Sequence, residues 1–223
     1  MEFKAVIFDV DGTLIDSRQH HLESTVAVAK KMGLSVPSAE EILETFGMSA
    51  KGYVGKFWPA IDLKDFDAAY EACGFRTKKI SPIPGAKEAI EIIRRNHFIG
   101  IITNRRSFSL RRRFMDIGLQ LDIFDFVQTA DYAPATKPDP RVFNAILSLL
   151  KRKYGISKQQ ALYAGDTLID FFAAKGAGLS FVGILDGGAS KEIFLKNGLR
   201  EEYTMSIKNL PFFMEGFRVR SST

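Results

Sequence analysis

The chain has 223 residues, 46% hydrophobic and 26% charged, a balance that excludes a disordered chain and permits one large domain or a core carrying a smaller one. Its 31 basic and 26 acidic side chains leave a charge of +5, too weak a field to indicate nucleic acid by itself. A single cysteine, Cys73, excludes an internal disulfide and a thiolate metal site, and no charged-then-apolar leader or bilayer-length apolar run occurs, so a cytoplasmic protein with no membrane partner is expected.

Phe3 to Phe8 is a near-continuous apolar run, the pattern of a parallel strand buried on both faces. After Ser17 the period changes. Leu22, Val26, Ala29 and Gly33 step along one helix, and Ser38 with Glu41 forms a capping box ahead of Ile42, Leu43 and Phe46. Leu63, Phe66, Tyr70 and Cys73 mark a further helix stopped by Gly74, with Cys73 a small core residue. Pro84-Gly85 opens a helix bearing Ala86, Ala89, Ile90 and Ile93, and Phe98–Ile102 reads as a strand. The helix of Leu110, Phe114 and Ile117 ends at Gly118 and presents Arg111–Arg113 as a solvated face, so no nucleic-acid partner is expected. Phe124–Gln128 is the next strand. Asp139 caps a helix beginning at Pro140 and carrying Phe143, Ile146, Leu147 and Leu150. Ala161–Ala164, Leu168–Lys175 and Phe181–Leu185 follow as strand, helix and strand, and the tail after Leu210 is rich in Phe but too short to interpret.

Strands alternating with helices predict an α/β fold, a Rossmann-like parallel sheet formed by residues 1–17 and 80–223. Residues 18–79, helical and without strand patterns, form an inserted α-helical cap.

In such a sheet, ligands bind beyond the carboxyl ends of the strands. Asp9 and Asp11 end the first strand, Thr103 and Asn104 the second, and Asp166 and Asp170 follow ALYAG. Singly, each has an ordinary reading: a turn for Asp9 and Asp11, a strand end for Thr103, a helix cap for Asp166, a first-turn acid for Asp170, a surface lysine for Lys137. Together they place four carboxylates on one rim, where like charges ~4 Å apart repel by roughly 4 kcal/mol at an effective dielectric of 20 unless a cation intervenes. Hard oxygen donors suit Mg²⁺.

The set Asp-Val-Asp-Gly-Thr (9–13), Ile-Thr-Asn (102–104), Lys-Pro (137–138) and GDTLID (165–170) resembles the haloacid dehalogenase superfamily, with all four motifs in order. The helical insert resembles the cap of its phosphoglycolate phosphatase and β-phosphoglucomutase-like branch. That resemblance implies a Mg²⁺-dependent phosphatase acting on a small phosphorylated metabolite through an aspartyl-phosphate. Asp9 would be the nucleophile and Asp11 the acid and base, the latter meeting the metal through its backbone carbonyl. Thr103, Asn104 and Lys137 would bind the transferring phosphoryl group, with Asp9, Asp11, Asp166 and Asp170 at the metal. A phosphomutase is the alternative with the same site, and a noncatalytic binding module is a third reading, disfavoured because Asp9, Asp11, Lys137 and Asp166 are all present.

The cap is expected to close as a lid, hinged first over Asp16 to His21. His21, with His20 beside it, and Ser49 and Lys51 in FGMSAKGY are its candidate substrate contacts, and Arg18, Lys51 and Lys56 would suit an acidic leaving group. Phe57 and Trp58 read as cap core. Arg105, where many relatives carry lysine, has no assigned role. A monomer or homodimer is expected.

Overall fold

Ala5, Val6, Ile7 and Phe8 are all buried, which only a central strand covered on both faces allows. In the computed structural model, which describes residues 2–75 and 77–220, this segment is strand β1 (Ala5–Phe8) at the middle of a six-stranded sheet. The others are β4 (Phe98–Ile102), β5 (Phe126–Gln128), β6 (Ala161–Gly165), β7 (Ser180–Ile184) and β8 (Thr204–Met205), ordered β5-β4-β1-β6-β7-β8 and all parallel. The expected core and cap also cover Met1, Arg76 and residues 221–223, which lie outside the described residues.

Period-two alternation divides the strands between two cores. Val6, Phe8, Ile99, Ile101, Leu162 and Val182 join one cluster, while Ala5, Ile7, Phe98, Ile102, Tyr163 and Phe181 join the other. Helix α5 (Ala86–Ile93) buries Ala86, Ala89, Ile90 and Ile93, and α6 (Ser107–Ile117) buries Leu110, Phe114 and Ile117, both against the first cluster. Asp139 caps a 3₁₀ turn over Pro140–Phe143, accepting from the Arg141 amide, before α7 (Asn144–Tyr154). Helices α7, α8 (Leu168–Ala177) and α9 (Lys191–Lys196) pack against the second cluster.

Between β1 and β4 the chain leaves and rejoins the sheet through a two-stranded antiparallel ribbon, β2 (Ile15–Asp16) with β3 (Ser81–Pro82). The excursion is α1 (Arg18–Lys31), α2 (Ala39–Glu44), α3 (Ala50–Phe57) and α4 (Leu63–Ala72), packed around Val28, Val54, Trp58 and Phe66. Ser38 and Glu41 form both halves of the capping box at α2.

Four expectations need correction. The buried stripe of α1 is Ser24, Thr25, Val28 and Ala29, rotated from Leu22 and Val26, because both hydroxyls are satisfied by the His21 carbonyl, at 3.1 and 2.8 Å. Phe124 precedes β5 as the end of a 3₁₀ turn. The tail forms helix α10 (Leu210–Arg220), with Leu210 and Met214 in the core and Phe213 stacked on Phe3. Arg113 does not face solvent: it is 1% exposed and donates to the carbonyls of Lys78 and Phe75, at 2.6 and 2.9 Å, and to Asp116.

Candidate active site

Strand β1 continues its pairing one residue beyond its end, where the Asp9 amide donates to the Ala164 carbonyl at 2.8 Å. This fixes Asp9 at the sheet's carboxyl rim, 2% exposed. The chain then turns tightly: Gly12 takes φ 77°, and a Cβ there would lie 2.0 Å from Asp166 Oδ2. Glycine is required by both the backbone and the carboxylate behind it.

Lys137 is the charge at the centre. Its Nζ lies 2.6 Å from Asp9 Oδ1, 2.6 Å from Asp170 Oδ1 and 2.8 Å from the Tyr163 hydroxyl. Asn104 sets the lysine backbone from both sides, accepting from its N–H at 2.9 Å and donating to its carbonyl at 3.0 Å. The same Asn104 amide donates to the Gly47 carbonyl of the insert. Thr103 is buried beside it, its hydroxyl accepting from the Arg105 amide at 3.1 Å.

Asp166 accepts from the Thr13 hydroxyl at 3.1 Å and the Gly188 amide at 2.6 Å. Asp170 completes a capping box with Thr167 at the start of α8, so one of its oxygens is held there while the other takes Lys137 and Tyr163. Ligand atoms of Asp9, Asp166 and Asp170 all lie within 4.8 Å of one another. The Asp11 carboxylate turns elsewhere. It accepts from Ser17 and is gripped through both oxygens by the Arg105 guanidinium.

The electrostatics follow from these partners. Burial pushes the Asp9 carboxyl up to about 7 despite Lys137, with Asp170 and Asp11 adding repulsion. Burial likewise raises Asp166 well above the carboxylate range, reinforced by Asp170 and Asp9. Lys137 moves upward because its two carboxylates outweigh its burial. Asp11 is lowered, since Arg105 overcomes its burial. Three clustered carboxylates against one ammonium leave the rim short of positive charge, and its donors are all oxygen. The residues therefore fit a hard divalent cation.

Between this rim and the insert lies a cavity of about 140 Å³. Asp9, Asp11, His21, Asn104 and Arg105 line it, with Gly47, Met48 and Tyr53 from the insert. His21 packs edge-on to Tyr53 and lies 3.0 Å from the Thr45 hydroxyl; burial, chiefly, depresses it to about 4, as it does His20. Ser49 and Lys51 are not among the lining residues. Ser49 caps α3 by accepting from the Gly52 amide, and Lys51 is exposed. Lys56 pairs with Glu44, and Arg18 donates to the Gly188 carbonyl. Trp58 is buried in the insert, bonded to the Ser35 carbonyl.

The structure adds residues that the motifs did not single out: Arg105 on Asp11, Tyr163 and Thr167 on Asp170, Thr13 on Asp166, and the Gly187-Gly188 pair. A Cβ on Gly187 would sit 2.2 Å from the Gly12 carbonyl and 2.4 Å from Asp166 Oδ2. A Gly-Gly step just after a strand at this rim was the available sign.

The profile of the haloacid dehalogenase-like hydrolases matches residues 6–184. A phosphoglycolate phosphatase of Cereibacter sphaeroides is 30% identical over 194 residues, spanning 82% of this chain and 85% of that protein. Among solved structures, a haloacid dehalogenase-like family protein from Streptococcus pneumoniae superposes with a TM-score of 0.74 at 19% identity, covering 97% of this chain and 98% of that one. CbbY from Rhodobacter sphaeroides, solved with phosphate, gives 0.72 at 19% identity, covering 93% and 96%. The chain belongs to the haloacid dehalogenase-like hydrolase family and is an enzyme of its phosphatase type.

Proposed function

We propose that the enzyme is a Mg²⁺-dependent phosphatase that hydrolyses a small phosphorylated metabolite through an aspartyl-phosphate on Asp9. The observation that carries this reading is the cluster of Asp9, Asp166 and Asp170 with Lys137 bonded between two of them, Asp9 itself lining the cavity. Asp9 and Asp166 would hold the ion, with the Asp11 backbone carbonyl. Asp170, its oxygens engaged by Thr167, Tyr163 and Lys137, would act on it through water. When bound, the ion would neutralise the carboxylates and draw charge from the phosphoryl oxygens.

Lys137 draws the Asp9 carboxyl toward its charged form against the burial that raises it, and would share its charge with the phosphoryl group, beside the Thr103 hydroxyl. Attack by Asp9 forms an O–P bond as the ester O–P bond breaks, and Asp11 would give the leaving oxygen its proton. Water then attacks the phosphorus as the Asp9 O–P bond breaks, freeing the carboxylate and releasing phosphate, and Asp11 would take the proton of the water. Arg105 holds Asp11 ionised, the state suited to activating water; donation requires the guanidinium to give up part of its two-point grip.

The cavity between the rim and the insert gives a small phosphorylated metabolite access to Asp9. Phosphoglycolate, the substrate in the names of the curated relatives, is one candidate for that metabolite. The test is hydrolysis of an aryl phosphate, phosphoglycolate and hexose phosphates with and without Mg²⁺. Asp9→Asn should abolish turnover, and Asp11→Asn should slow it severely while still binding a phosphate mimic. Full activity in Asp9→Asn would refute the covalent route.

A further inference from the structure

Outside the chemical cluster, one ion pair among the described residues joins the two parts of the molecule across the cavity. Arg106 lies three residues beyond Thr103 and flanks the start of α6; Asp67 lies on α4 of the insert. The guanidinium meets the carboxylate at two points, Nη1 to Oδ2 at 2.6 Å and Nη2 to Oδ1. Both residues line the cavity, and both side chains are about three-quarters buried, at 27% and 26% exposure. The Arg106 guanidinium also lies over the Phe108 ring, 4.9 Å from its centre, which restricts it to one orientation.

Its position separates it from the other bridges. Arg18 to Gly188, and Arg113 to His20, Phe75 and Lys78, sit where the chain passes between sheet and insert, so they hold the crossings. Arg106 instead grips α4 one turn before Tyr70, which already touches Arg113. Asn104, two residues earlier, reaches the Gly47 carbonyl. A single loop, 103–106, thus lines the cavity with Asn104, Arg105 and Arg106 and binds the insert at two points.

We propose that Arg106 and Asp67 are positioning residues, a latch that holds the insert against the loop after β4 and thereby limits the size of substrate admitted. A two-point guanidinium–carboxylate bond supplies direction as well as attraction, so losing it lets α4 swing without unfolding either part. The latch rests on the phosphatase reading for its effect on turnover, but not for its effect on the insert's motion.

The test uses the full-length protein with Mg²⁺. Asp67→Asn, Arg106→Gln, Arg106→Lys and the swapped pair Asp67→Arg with Arg106→Asp are compared by amide hydrogen exchange and by kcat/KM on small and bulky phosphate esters. Each charge-removing variant is expected to raise exchange in α4 and the 47–50 turn about fivefold. KM for the small ester should rise more than kcat falls, with selectivity moving toward the bulky ester. Arg106→Lys should fall between, and the swapped pair should recover most of the protection. Unchanged exchange in the single variants, or a swapped pair as open as the singles, overturns the latch. Altered exchange in a protein that hydrolyses no ester would leave the latch standing and refute the phosphatase reading instead.

Discussion

Lys137→Met removes the only side-chain cation that touches Asp9 and Asp170 among the described residues, while nearly preserving volume and reach. The lysine and both carboxylates are 1–3% exposed, so no solvent replaces the lost charge. Breaking a buried pair by deleting one partner costs about 3–5 kcal/mol, because the remaining charge stays buried and uncompensated. With an unfolding entropy near 2.1 cal/mol/K per residue, 223 residues give ~0.5 kcal/mol/K, so the melting temperature should drop by about 6–10 °C in chelator at pH 8.

The pH dependence gives the sharper check. Asp9 already titrates near 7 in the folded enzyme against 3.8 for an unperturbed carboxyl, so the native state binds more protons than the unfolded chain between those values. Stability contributed by this group therefore rises as pH falls through 7 toward 4. Without Lys137 the Asp9 carboxyl moves further up, and the deficit should shrink steadily from pH 8 to pH 5.5. Mg²⁺ should also recover part of it at pH 8, since an ion that binds only the native cluster stabilises by mass action. Calorimetry across pH, with chelator and with Mg²⁺, reads all three effects. A variant melting within ~2 °C of the parent at pH 8 in chelator, or one whose deficit widens on acidification, would show that Lys137 does not neutralise this cluster.

His20 and His21 are both held near 4 chiefly by burial, against 6.5 unperturbed, so the unfolded chain binds more protons between those values and acidification from pH 7 to 4 costs stability through them. His21→Gln should flatten that fall relative to the parent, as urea midpoints at successive pH values would reveal; an equally steep fall would contradict it. Gly187→Ala drives a Cβ against the Gly12 carbonyl and Asp166, so Mg²⁺ affinity by titration calorimetry should weaken roughly 10–100-fold with the far-ultraviolet circular dichroism retained. Undiminished affinity would mean that Asp166 does not hold the ion.

What could be read in advance divides by the range of the interaction. The stripe of Ala86, Ala89, Ile90 and Ile93, the Ser38–Glu41 capping box and the Asp139-Pro140 helix start are all decided within one or two turns of chain, and each stands in the structure as its local pattern indicates. Leu210, Phe213 and Met214 also carry helical spacing, so α10 was legible too, though the density of phenylalanine obscured it. The rim was accessible for the same reason: apolar strands fix where each strand ends, and Asp9, Thr103 and Asp166 lie just beyond those ends. Partner choice is another matter. Arg113 reads locally as one of three solvated arginines, yet its acceptors lie 35 and 38 positions away, and Arg105 finds Asp11 at a separation of 94. Nothing within a helical turn distinguishes a guanidinium aimed at solvent from one aimed at a carbonyl on another element. The insert illustrates the cost: Ser49 and Lys51 have the chemistry of substrate contacts, but Ser49 is spent capping α3, and His20, His21, Ser24, Tyr53, Asp67 and Tyr70 are the polar side chains with which the insert lines the cavity. Strand termini therefore indicate which residues can meet, whereas charge pairing, which decides how Asp11 and Lys137 are held, emerges only when separate loops are packed against one another.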